Sequence, residues 1–507
     1  MAAGDRKLRA VFLPYFTSSH IIPLVDTARL FAAWGISLHG CRRSELRAVF
    51  LPFFTSSHII PLVDTARLFA ARGISVTIIT TPSNAALFQA SVDRDIAIGR
   101  EITVQTIRFP SAEVGLPEGI ENFGAVDSIE MAGKVNQGIF LLQKPMEELV
   151  RNGCPDCIVS DMFYPWTVDI AKELKIPRFI LYATNCFYHC AFHSLRLHAP
   201  HEKVNSDAES LVIPGLPDPI EITRAQLEDY HKTQTEFGKL MDLVKETEVQ
   251  SYGTIFTSYS ELEPLYVHHY KNVLGRKCWH VGLPSHAIER NRGLEEKNSK
   301  RDYLLSWLGT QKANSVLYIC FGSLVLFHDA QLREIAKALE ESDQPFIWVV
   351  RTRDQTEEES WLPEGFEQRA KESNGGLVLR GWVPQVLILN HSAIGGFMTH
   401  CGWNSVLESV TAGVPLITMP LFAEQFYNEK LITQVLKIGV EAGSEVYNPM
   451  FEIMNIVAGK DKLVRAITGL MGGSEEAQEI RRRAKEMSVK VKKSGRTEGP
   501  VTLIWTL

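Results

Sequence analysis

A run of small and polar residues, HCGWNS, extends from His400 to Ser405 and has the composition of an anion-binding turn. It follows a predicted buried strand, GGFMT, and precedes a predicted helix. Backbone N–H groups and the macrodipole at a helix start favour anions, and Gly402 allows close backbone approach. His400, Asn404 and Ser405 add hydrogen-bond donors, so a diphosphate fits the run. Taken alone, the six residues are better explained by an ordinary turn with capping residues.

Two residues on either side of this turn offer further contacts to a nucleotide. Glu408, one turn into the predicted helix, could accept hydrogen bonds from ribose hydroxyls. Trp382 offers a flat aromatic face to a base. With the turn between them, these residues would complete a site for a nucleoside diphosphate.

The whole segment from Trp382 to Gln425, 44 residues long, resembles the signature box of the plant family 1 UDP-glycosyltransferases, which glycosylate secondary metabolites. The likeness covers nearly all of the chain after residue 46 and fades towards the C-terminus. The resemblance implies the two-domain GT-B fold, inversion at the anomeric carbon of a UDP-sugar co-substrate, no cofactor and no metal.

Matching the family motif position by position predicts the donor-binding residues. They are Ser323, Trp382, Val383, Gln385, His400, Gly402, Trp403, Asn404, Ser405, Glu408, Glu424 and Gln425. By this match the turn from His400 holds the diphosphate, with Gly322 and Ser323 near the phosphates. Trp382 stacks on uracil, and Gln385 lies near the nucleoside. The residues expected to face the transferred sugar are Trp403, Glu424 and Gln425.

Transfer to an alcohol needs a general base, because an alcohol is a weak nucleophile. His58 lies at a predicted strand-to-helix turn, and in the family the histidine of this HIIP motif is the base. Asp161, at the end of the predicted strand IVSDMF, matches the family's supporting aspartate, which would fix the imidazole tautomer. A capping or solvated histidine and a helix N-cap are the non-catalytic alternatives. The placement at two strand ends, together with the donor segment, favours catalysis.

A repeat complicates this assignment. Residues 8–37 recur as residues 46–75 with two differences, Tyr15/Phe53 and Trp34/Arg72. Each copy predicts a strand, a polar turn and, after a proline, an amphipathic helix, but only the second continues into a β-branched strand, VTIITTP, which completes a βαβ unit. We therefore expect the second copy to fill the sheet. If the first copy filled it, His20 would be the base in place of His58.

Elsewhere predicted strands alternate with helices, which indicates an α/β fold with parallel sheets and right-handed crossovers. A polar stretch, AIERNRGLEEKNSKR, interrupts the alternation. The predicted organisation is an N-terminal appendage (1–45), an acceptor-binding Rossmann-like domain (46–285), a linker (286–303), a UDP-sugar-binding Rossmann-like domain (304–480) and an atypical tail (481–507). Two doubly wound domains facing across a cleft would bind ligands beyond the carboxyl ends of their strands.

Composition limits the partners and the compartment. The 507 residues are 45% hydrophobic and 22% charged, which suits a soluble protein of two domains. A net charge of -6 argues against nucleic acid, and no segment has the length and apolarity to span a membrane. The eight cysteines are scattered, and the pair Cys154 and Cys157 is read as a loop before a strand. We expect a cytoplasmic, monomeric protein.

The acceptor is expected to be small and apolar. Aromatic residues after two predicted strands offer a wall for it: Phe163, Tyr164, Trp166, Phe187 and Tyr188, most of which fit a core equally well. Stretches such as FFTSSHIIPLVDTARLFA and DMFYPWTVDIA resemble most closely the branch that glycosylates triterpenoid saponins, including soyasapogenol glucuronide galactosyltransferases. A triterpenoid sapogenin or its glycoside is the first acceptor class and a flavonoid the second, with glucose or galactose as the sugar.

Two other functions compete with this one. A catalytically impaired UDP-sugar binder would follow if the duplicated N-terminus blocked the cleft, or if the altered C-terminus, KKSGRTEGPVTLIWTL, weakened the contact between domains. A nicotinamide-dependent oxidoreductase needs a GxGxxG motif after the first strand, and this chain has TSSHIIP there.

Overall fold

The computed structural model describes residues 46–126, 128–283, 299–351, 362–450 and 456–494. The first copy of the repeat, with His20, therefore lies outside the described residues. So do most of the predicted linker and residues 495–507 of the predicted tail.

The strands form two parallel sheets and one hairpin. Within the described residues they are, in chain order, β1 (Arg47–Leu51), β2 (Ser75–Thr80), β3 (Ile102–Thr106), β4 (Cys157–Asp161), β5 (Arg178–Tyr182), β6 (Ser210–Ile213), β7 (Ile220–Thr223), β8 (Gly253–Phe256), β9 (Cys278–His280), β10 (Val316–Cys320), β11 (Phe346–Val350), β12 (Gly376–Arg380), β13 (Ile394–Thr399), β14 (Leu416–Thr418) and β15 (Gly439–Glu441). The N-terminal sheet has the order β3-β2-β1-β4-β5-β8-β9, and the C-terminal sheet has the order β12-β11-β10-β13-β14-β15. The antiparallel hairpin is β6-β7.

Helices connect the parallel strands. The α-helices of the described residues are α1 (Ser56–Ala70), α2 (Pro82–Ala86), α3 (Gln89–Ala97), α4 (Ile129–Leu141), α5 (Gln143–Gly153), α6 (Thr167–Leu174), α7 (Cys186–His198), α8 (Asp229–Lys232), α9 (Glu236–Gln250), α10 (Pro264–His268), α11 (Ser299–Thr310), α12 (Asp329–Ser342), α13 (Phe366–Glu372), α14 (Gln385–Leu389), α15 (Trp403–Ala412), α16 (Gln425–Lys430), α17 (Lys460–Met471) and α18 (Glu475–Ser494). None of these helices is both long enough and apolar enough to cross a membrane.

Both sheets reverse their strand order at an equivalent place. The N-terminal sheet grows from β1 to β3 on one side and then from β4 onwards on the other, and the C-terminal sheet does the same from β10 to β12 and then from β13. Parallel α/β sheets bind ligands at the carboxyl ends of the two strands that flank such a reversal. The predicted α/β class with two doubly wound, Rossmann-like sheets is confirmed, and it places one expected site between β1 and β4 and another between β10 and β13.

The predicted domain boundaries remain predictions, and two helices overlap them. α11 begins at Ser299, inside the predicted linker, and α18 passes without a break through residue 481, where the predicted tail starts. α18 also packs against α15 of the C-terminal sheet layer. At least the first part of the predicted tail is therefore a regular helix of the C-terminal half.

The second copy of the repeat supplies β1 and α1. β1 lies at the middle of its sheet, where Val49 is paired with Thr77 of β2 and Ile158 of β4. Val49 and Phe50 are buried in different core clusters, because successive side chains of a strand point to opposite faces. The described structure thus fills this slot with residues 46–75.

The start of α1 differs from the prediction. The proline was expected to precede the helix, but α1 begins at Ser56 and contains Pro61. Proline has no N–H to donate to the carbonyl four residues earlier, which here belongs to Ser57. That carbonyl accepts a hydrogen bond from the Asn404 side chain at 3.1 Å instead. The helix can include the proline because the other half of the molecule satisfies the carbonyl that it leaves free.

Candidate active site

His58 and Asp161 meet at the reversal point of the N-terminal sheet. His58 lies in the first turn of α1, which follows β1 after the short turn 52–55, and Asp161 is the last residue of β4. The His58 Nδ1 atom is 2.7 Å from the Asp161 Oδ2 atom. The aspartate is fully buried, while 18% of the His58 side chain is exposed. The predicted pair is therefore assembled, with the carboxylate inside the protein and the imidazole open to solvent.

The surroundings of this pair favour a histidine that can take up a proton. Burial by itself lowers the pKa of His58, but the Asp161 carboxylate outweighs it by charge and hydrogen bonding, and Glu424 adds to the effect, so the pKa lies above its usual value. The other Asp161 oxygen, Oδ1, accepts a hydrogen bond from the Phe163 N–H at 3.0 Å. With Nδ1–H donated to Asp161, the lone pair of a neutral His58 is on Nε2 and is available as a base.

His400 lies at the reversal point of the C-terminal sheet, directly after β13. Its ring is held between two glycines: an added Cβ would lie 2.5 Å from the His400 Nε2 atom at Gly402, and 2.7 Å from the Cε1 atom at Gly322. Burial lowers the pKa of His400 to about 4, so this imidazole is neutral at pH 7. A neutral histidine held in this way can offer one N–H to a ligand, but it is a poor proton acceptor.

The helix that follows His400 presents its N-terminus at the same edge. Gly402 precedes α15, whose first turn contains Asn404 and Ser405. Gln385 donates hydrogen bonds from Nε2 to the Ser405 Oγ atom at 3.1 Å and to the Glu408 carboxylate at 2.8 Å. These contacts orient Glu408 along the edge, where a carboxylate could accept hydrogen bonds from ribose hydroxyls. Free N–H groups at a helix start favour a bound anion.

The two edges face one another and touch. The Ser56 and Ser323 hydroxyl groups are 3.3 Å apart, and Asn404 reaches the Ser57 carbonyl. The Asn404 Oδ1 atom is buried without a hydrogen-bond partner in the described residues. His58 and the predicted phosphate-binding turn therefore lie on opposite walls of one cleft.

The remaining predicted donor residues occupy different environments. Trp382 is 87% exposed, as a residue that offers its face to a ligand should be, and the neighbouring Val383 packs against the core. Gln425 is buried, and its Oε1 atom accepts the Leu421 and Phe422 N–H groups at 2.9 and 3.1 Å. Glu424 is half-buried and acts on His58 across the cleft.

The Trp403 side chain is buried at the start of α15. Its side chain is only 2% exposed, and its indole N–H donates to the Thr257 carbonyl at 2.9 Å. The first turn of α15 directs this side chain into the contact between the two halves of the molecule. Its ring is thus part of that interface, and the contact of Trp403 with the transferred sugar stays a prediction.

The aromatic wall near His58 differs from the predicted one. Phe163 lies there as expected, with its ring 5.6 Å from the imidazole. Phe187 and Tyr164 are core residues: Phe187 packs on Tyr266, and Tyr164 is fully buried.

Tyr188 is also buried, and Trp166 packs against Tyr164. The residues that continue the wall are Phe237, which is 6.1 Å from Phe163, and Tyr230, which is 5.7 Å from Phe237. Both belong to a segment without a motif, so no sequence signal pointed to them.

The acidic and cysteine residues away from this cleft that the structure describes have partners or surroundings of their own. Within the described ranges there is no group of three or more histidine, cysteine or acidic residues that could hold a metal ion. In the sequence Asp93-Arg94-Asp95, two aspartates flank an arginine, and Asp95 is paired with Arg67 and Arg100. Cys154 caps the end of α5 and Cys157 is the first residue of β4, so the predicted loop is limited to the residues between them; both cysteines are free thiols.

Comparisons with known proteins identify the family of this chain. Residues 130–443 match the family model of the UDP-glucoronosyl and UDP-glucosyl transferases. Nuatigenin 3-beta-glucosyltransferase from Solanum aculeatissimum is 48% identical over 96% of this chain and 93% of its own length. Soyasapogenol B glucuronide galactosyltransferase from Glycine max is 45% identical, covering 97% and 93%.

A solved structure is similar throughout. The crystal structure of Glycyrrhiza uralensis UGT73P12, complexed with glycyrrhetinic acid 3-O-monoglucuronide, superposes with a TM-score of 0.85 at 42% identity and covers 91% of this chain and 94% of that one. Matches of this identity and coverage confirm the GT-B fold predicted from the sequence. The chain belongs to the UDP-glucoronosyl and UDP-glucosyl transferase family and is a UDP-glycosyltransferase.

Proposed function

We propose that this enzyme transfers a hexose, glucose or galactose, from its UDP-sugar to a hydroxyl group of a triterpenoid sapogenin or its glycoside, with inversion. His58 is the general base and Asp161 the carboxylate that orients it. The observation that carries the proposal is the 2.7 Å contact between them, on the wall of the cleft opposite the glycine-flanked turn at His400.

The reaction needs one proton transfer and one displacement. The His58 Nε2 atom takes the proton of the acceptor hydroxyl as its oxygen bonds to the anomeric carbon. The bond from that carbon to the β-phosphate oxygen breaks, and its electron pair leaves with UDP. Asp161 stabilises the imidazolium that forms. The start of α15 and the His400 N–H stabilise the charge of the departing diphosphate.

The acceptor class rests on the relatives and on the shape of the cleft. The similar enzymes are named for nuatigenin and for soyasapogenol B glucuronide, both bulky polycyclic acceptors. Phe163, Phe237 and Tyr230 extend an aromatic surface away from His58, suited to an apolar ring system. A flavonoid is the second class, since flat aromatic rings would also pack on this surface.

The proposed setting is the cytoplasm, with a monomer acting without metal. Seven cysteines of the described residues are free thiols, which suits a reducing compartment.

The test measures UDP release by the full-length chain. Triterpenoid and flavonoid acceptors are each combined with UDP-glucose, UDP-galactose, UDP-glucuronate and UDP-arabinose. We expect turnover with a triterpenoid acceptor and a UDP-hexose. His58→Ala should lower kcat/KM by a factor of about 10² to 10⁴, the usual contribution of a general base.

His20→Ala is the matched control, because the same motif surrounds both histidines, and it should leave turnover within a factor of about two. The reverse pattern would show that the first copy supplies the base. Binding of UDP without turnover by any acceptor pair would instead favour the catalytically impaired binder.

A further inference from the structure

A second charged residue lies beneath the His58–Asp161 pair. Arg178 is the first residue of β5, next to β4, and only 2% of it is exposed. Its guanidinium group donates hydrogen bonds to five acceptors, and all five are uncharged. A buried cation usually has a carboxylate in contact with it, so this environment calls for an explanation.

Three of the five acceptors belong to the turn that carries Asp161. Arg178 Nε donates to the Ser160 hydroxyl at 3.2 Å and to the Thr167 hydroxyl at 2.8 Å, and Arg178 Nη2 donates to the Tyr164 carbonyl at 3.2 Å. The guanidinium therefore joins the last residues of β4 to the start of α6. Asp161 is held between these points.

The same turn reaches the other member of the pair. The Tyr164 hydroxyl donates to the Pro52 carbonyl at 3.2 Å, and Pro52 lies between β1 and α1, six residues before His58. The Arg178 contacts thus constrain the turn that carries the Asp161 carboxylate and, through Tyr164, the turn that leads to His58.

The other two acceptors lie at the end of α9. Arg178 Nη1 donates to the Thr247 carbonyl at 3.4 Å and to the Ser251 hydroxyl at 2.7 Å. The C-terminus of a helix carries partial negative charge, which favours a cation there. This contact compensates part of the Arg178 charge without a carboxylate.

The charged and titratable groups that act on Arg178 come from three elements: Asp161 from β4, Tyr182 from β5 and Glu248 from α9. Glu248 is bound by its own cations, Lys245 and Arg276. Asp161 has His58 as its ion-pair partner and acts on Arg178 through space.

We propose that Arg178 is a positioning residue for catalysis: its planar guanidinium fixes the turn 160–167 and keeps the buried Asp161 carboxylate directed at His58. This proposal rests on the proposed function of that pair. The proposal explains why the Arg178 cation is buried against neutral acceptors. Arg178 balances the charge of Asp161, which is the residue next to Ser160, and Arg178 binds the Ser160 hydroxyl.

The test is the pH profile of kcat/KM for three variants. Arg178→Met removes the charge and the hydrogen bonds. We expect it to lower kcat/KM about 100-fold, the loss typical of a misplaced catalytic group, and to move the acid limb to lower pH as His58 loses its oriented carboxylate. Arg178→Lys restores the charge and should recover at least about tenfold of that loss, with the acid limb at its original pH.

A milder variant keeps the proposal testable if Arg178→Met does not fold. Thr167→Val removes one acceptor and leaves the charge. It should lower kcat/KM about tenfold with the acid limb unmoved. Activity equal to that of the unmodified enzyme would overturn the positioning of the turn.

Arg67→Met is the matched control. Arg67 is equally buried, at 2% exposure, but it is paired with Asp64 and Asp95. Its loss should lower Tm and leave the acid limb in place. An Arg178→Met enzyme that behaves like this control overturns the inference.

Asp161→Asn, measured alongside, separates the two proposals. If it leaves the rate and the acid limb unchanged, the proposed base pair is wrong, and the Arg178 inference with it. If it changes both and Arg178→Met changes neither, only the Arg178 inference is wrong.

Discussion

The two walls of the cleft each place a histidine beyond the carboxyl end of a central strand, and they give it opposite chemistry. His58 has a buried carboxylate at 2.7 Å, which raises its pKa. His400 lies against two glycines without a carboxylate, and burial lowers its pKa to about 4. The surroundings of His58 favour its protonated form, whereas those of His400 favour the neutral form.

The difference shows how one architecture supports two tasks. Both sheets bring a strand end and a helix start together at the reversal of strand order, so the backbone alone does not distinguish the walls. The distinction comes from the residue at the carboxyl end of the neighbouring strand: Asp161 is the last residue of β4, whereas Gly322 lies just after β10. A carboxylate in contact with the histidine suits proton transfer, whereas a glycine leaves room for an anion.

The largest effect is expected from removing the carboxylate that distinguishes the wall with His58. Asp161→Asn should lower kcat/KM by a factor of about 10² to 10⁴, because an amide can neither stabilise the imidazolium nor enforce the tautomer. The carboxylate raises the pKa of His58, so its loss lowers that pKa. The acid limb of the profile of kcat/KM against pH should then move to lower pH. An acid limb at the original pH would contradict the assignment, and UDP affinity should stay unchanged as the control.

A smaller effect is expected at the second wall. Gly402→Ala adds a Cβ 2.5 Å from His400 Nε2, so the imidazole must move away from the turn. Losing one hydrogen bond to a charged phosphate costs about 1.5–3 kcal/mol, or roughly 10- to 100-fold in the Kd for UDP. Calorimetric titration with UDP measures this, and the acid limb should not move.

Gly133→Ala is the control for that variant, because its added Cβ meets nothing within 4 Å. UDP affinity should be unchanged by it. Equal affinities for both alanine variants would remove His400 from the phosphate site.

The smallest effect concerns the choice of sugar. Gln425→His replaces the amide oxygen that accepts the Leu421 and Phe422 N–H groups, at a position predicted to face the transferred sugar. A change of one neutral hydrogen bond, about 0.5–1.5 kcal/mol, should change the ratio of kcat/KM for UDP-glucose and UDP-galactose by roughly 2- to 12-fold. An unchanged ratio would exclude Gln425 from sugar selection.

Elements with a strong local pattern could be predicted from the sequence. The strand GGFMT expected before His400 is the end of β13, the strand IVSDMF expected around Asp161 overlaps β4, and the strand VTIITTP overlaps β2. The pair His58 and Asp161 could be predicted as well, because strand ends in a parallel sheet meet at one edge.

The features that the sequence patterns did not predict depend on contacts between residues that are distant in sequence. Helix α1 includes Pro61 because Asn404, more than 300 residues later, binds the Ser57 carbonyl. Trp403 faces the interface because of where α15 packs. Phe237 reaches the wall near Phe163 through the packing of α9, and Arg178 stands at the start of a strand that looks like any other.

The hydrogen bond from Asn404 to the Ser57 carbonyl also has a thermodynamic consequence. It joins the first turn of the helix that carries His58 to the first turn of the helix expected to bind the diphosphate. A ligand that orders one of these turns changes the free energy of ordering the other, and such coupling is reciprocal. Donor and acceptor should therefore bind with positive cooperativity, each increasing the affinity of the enzyme for the other by the same factor.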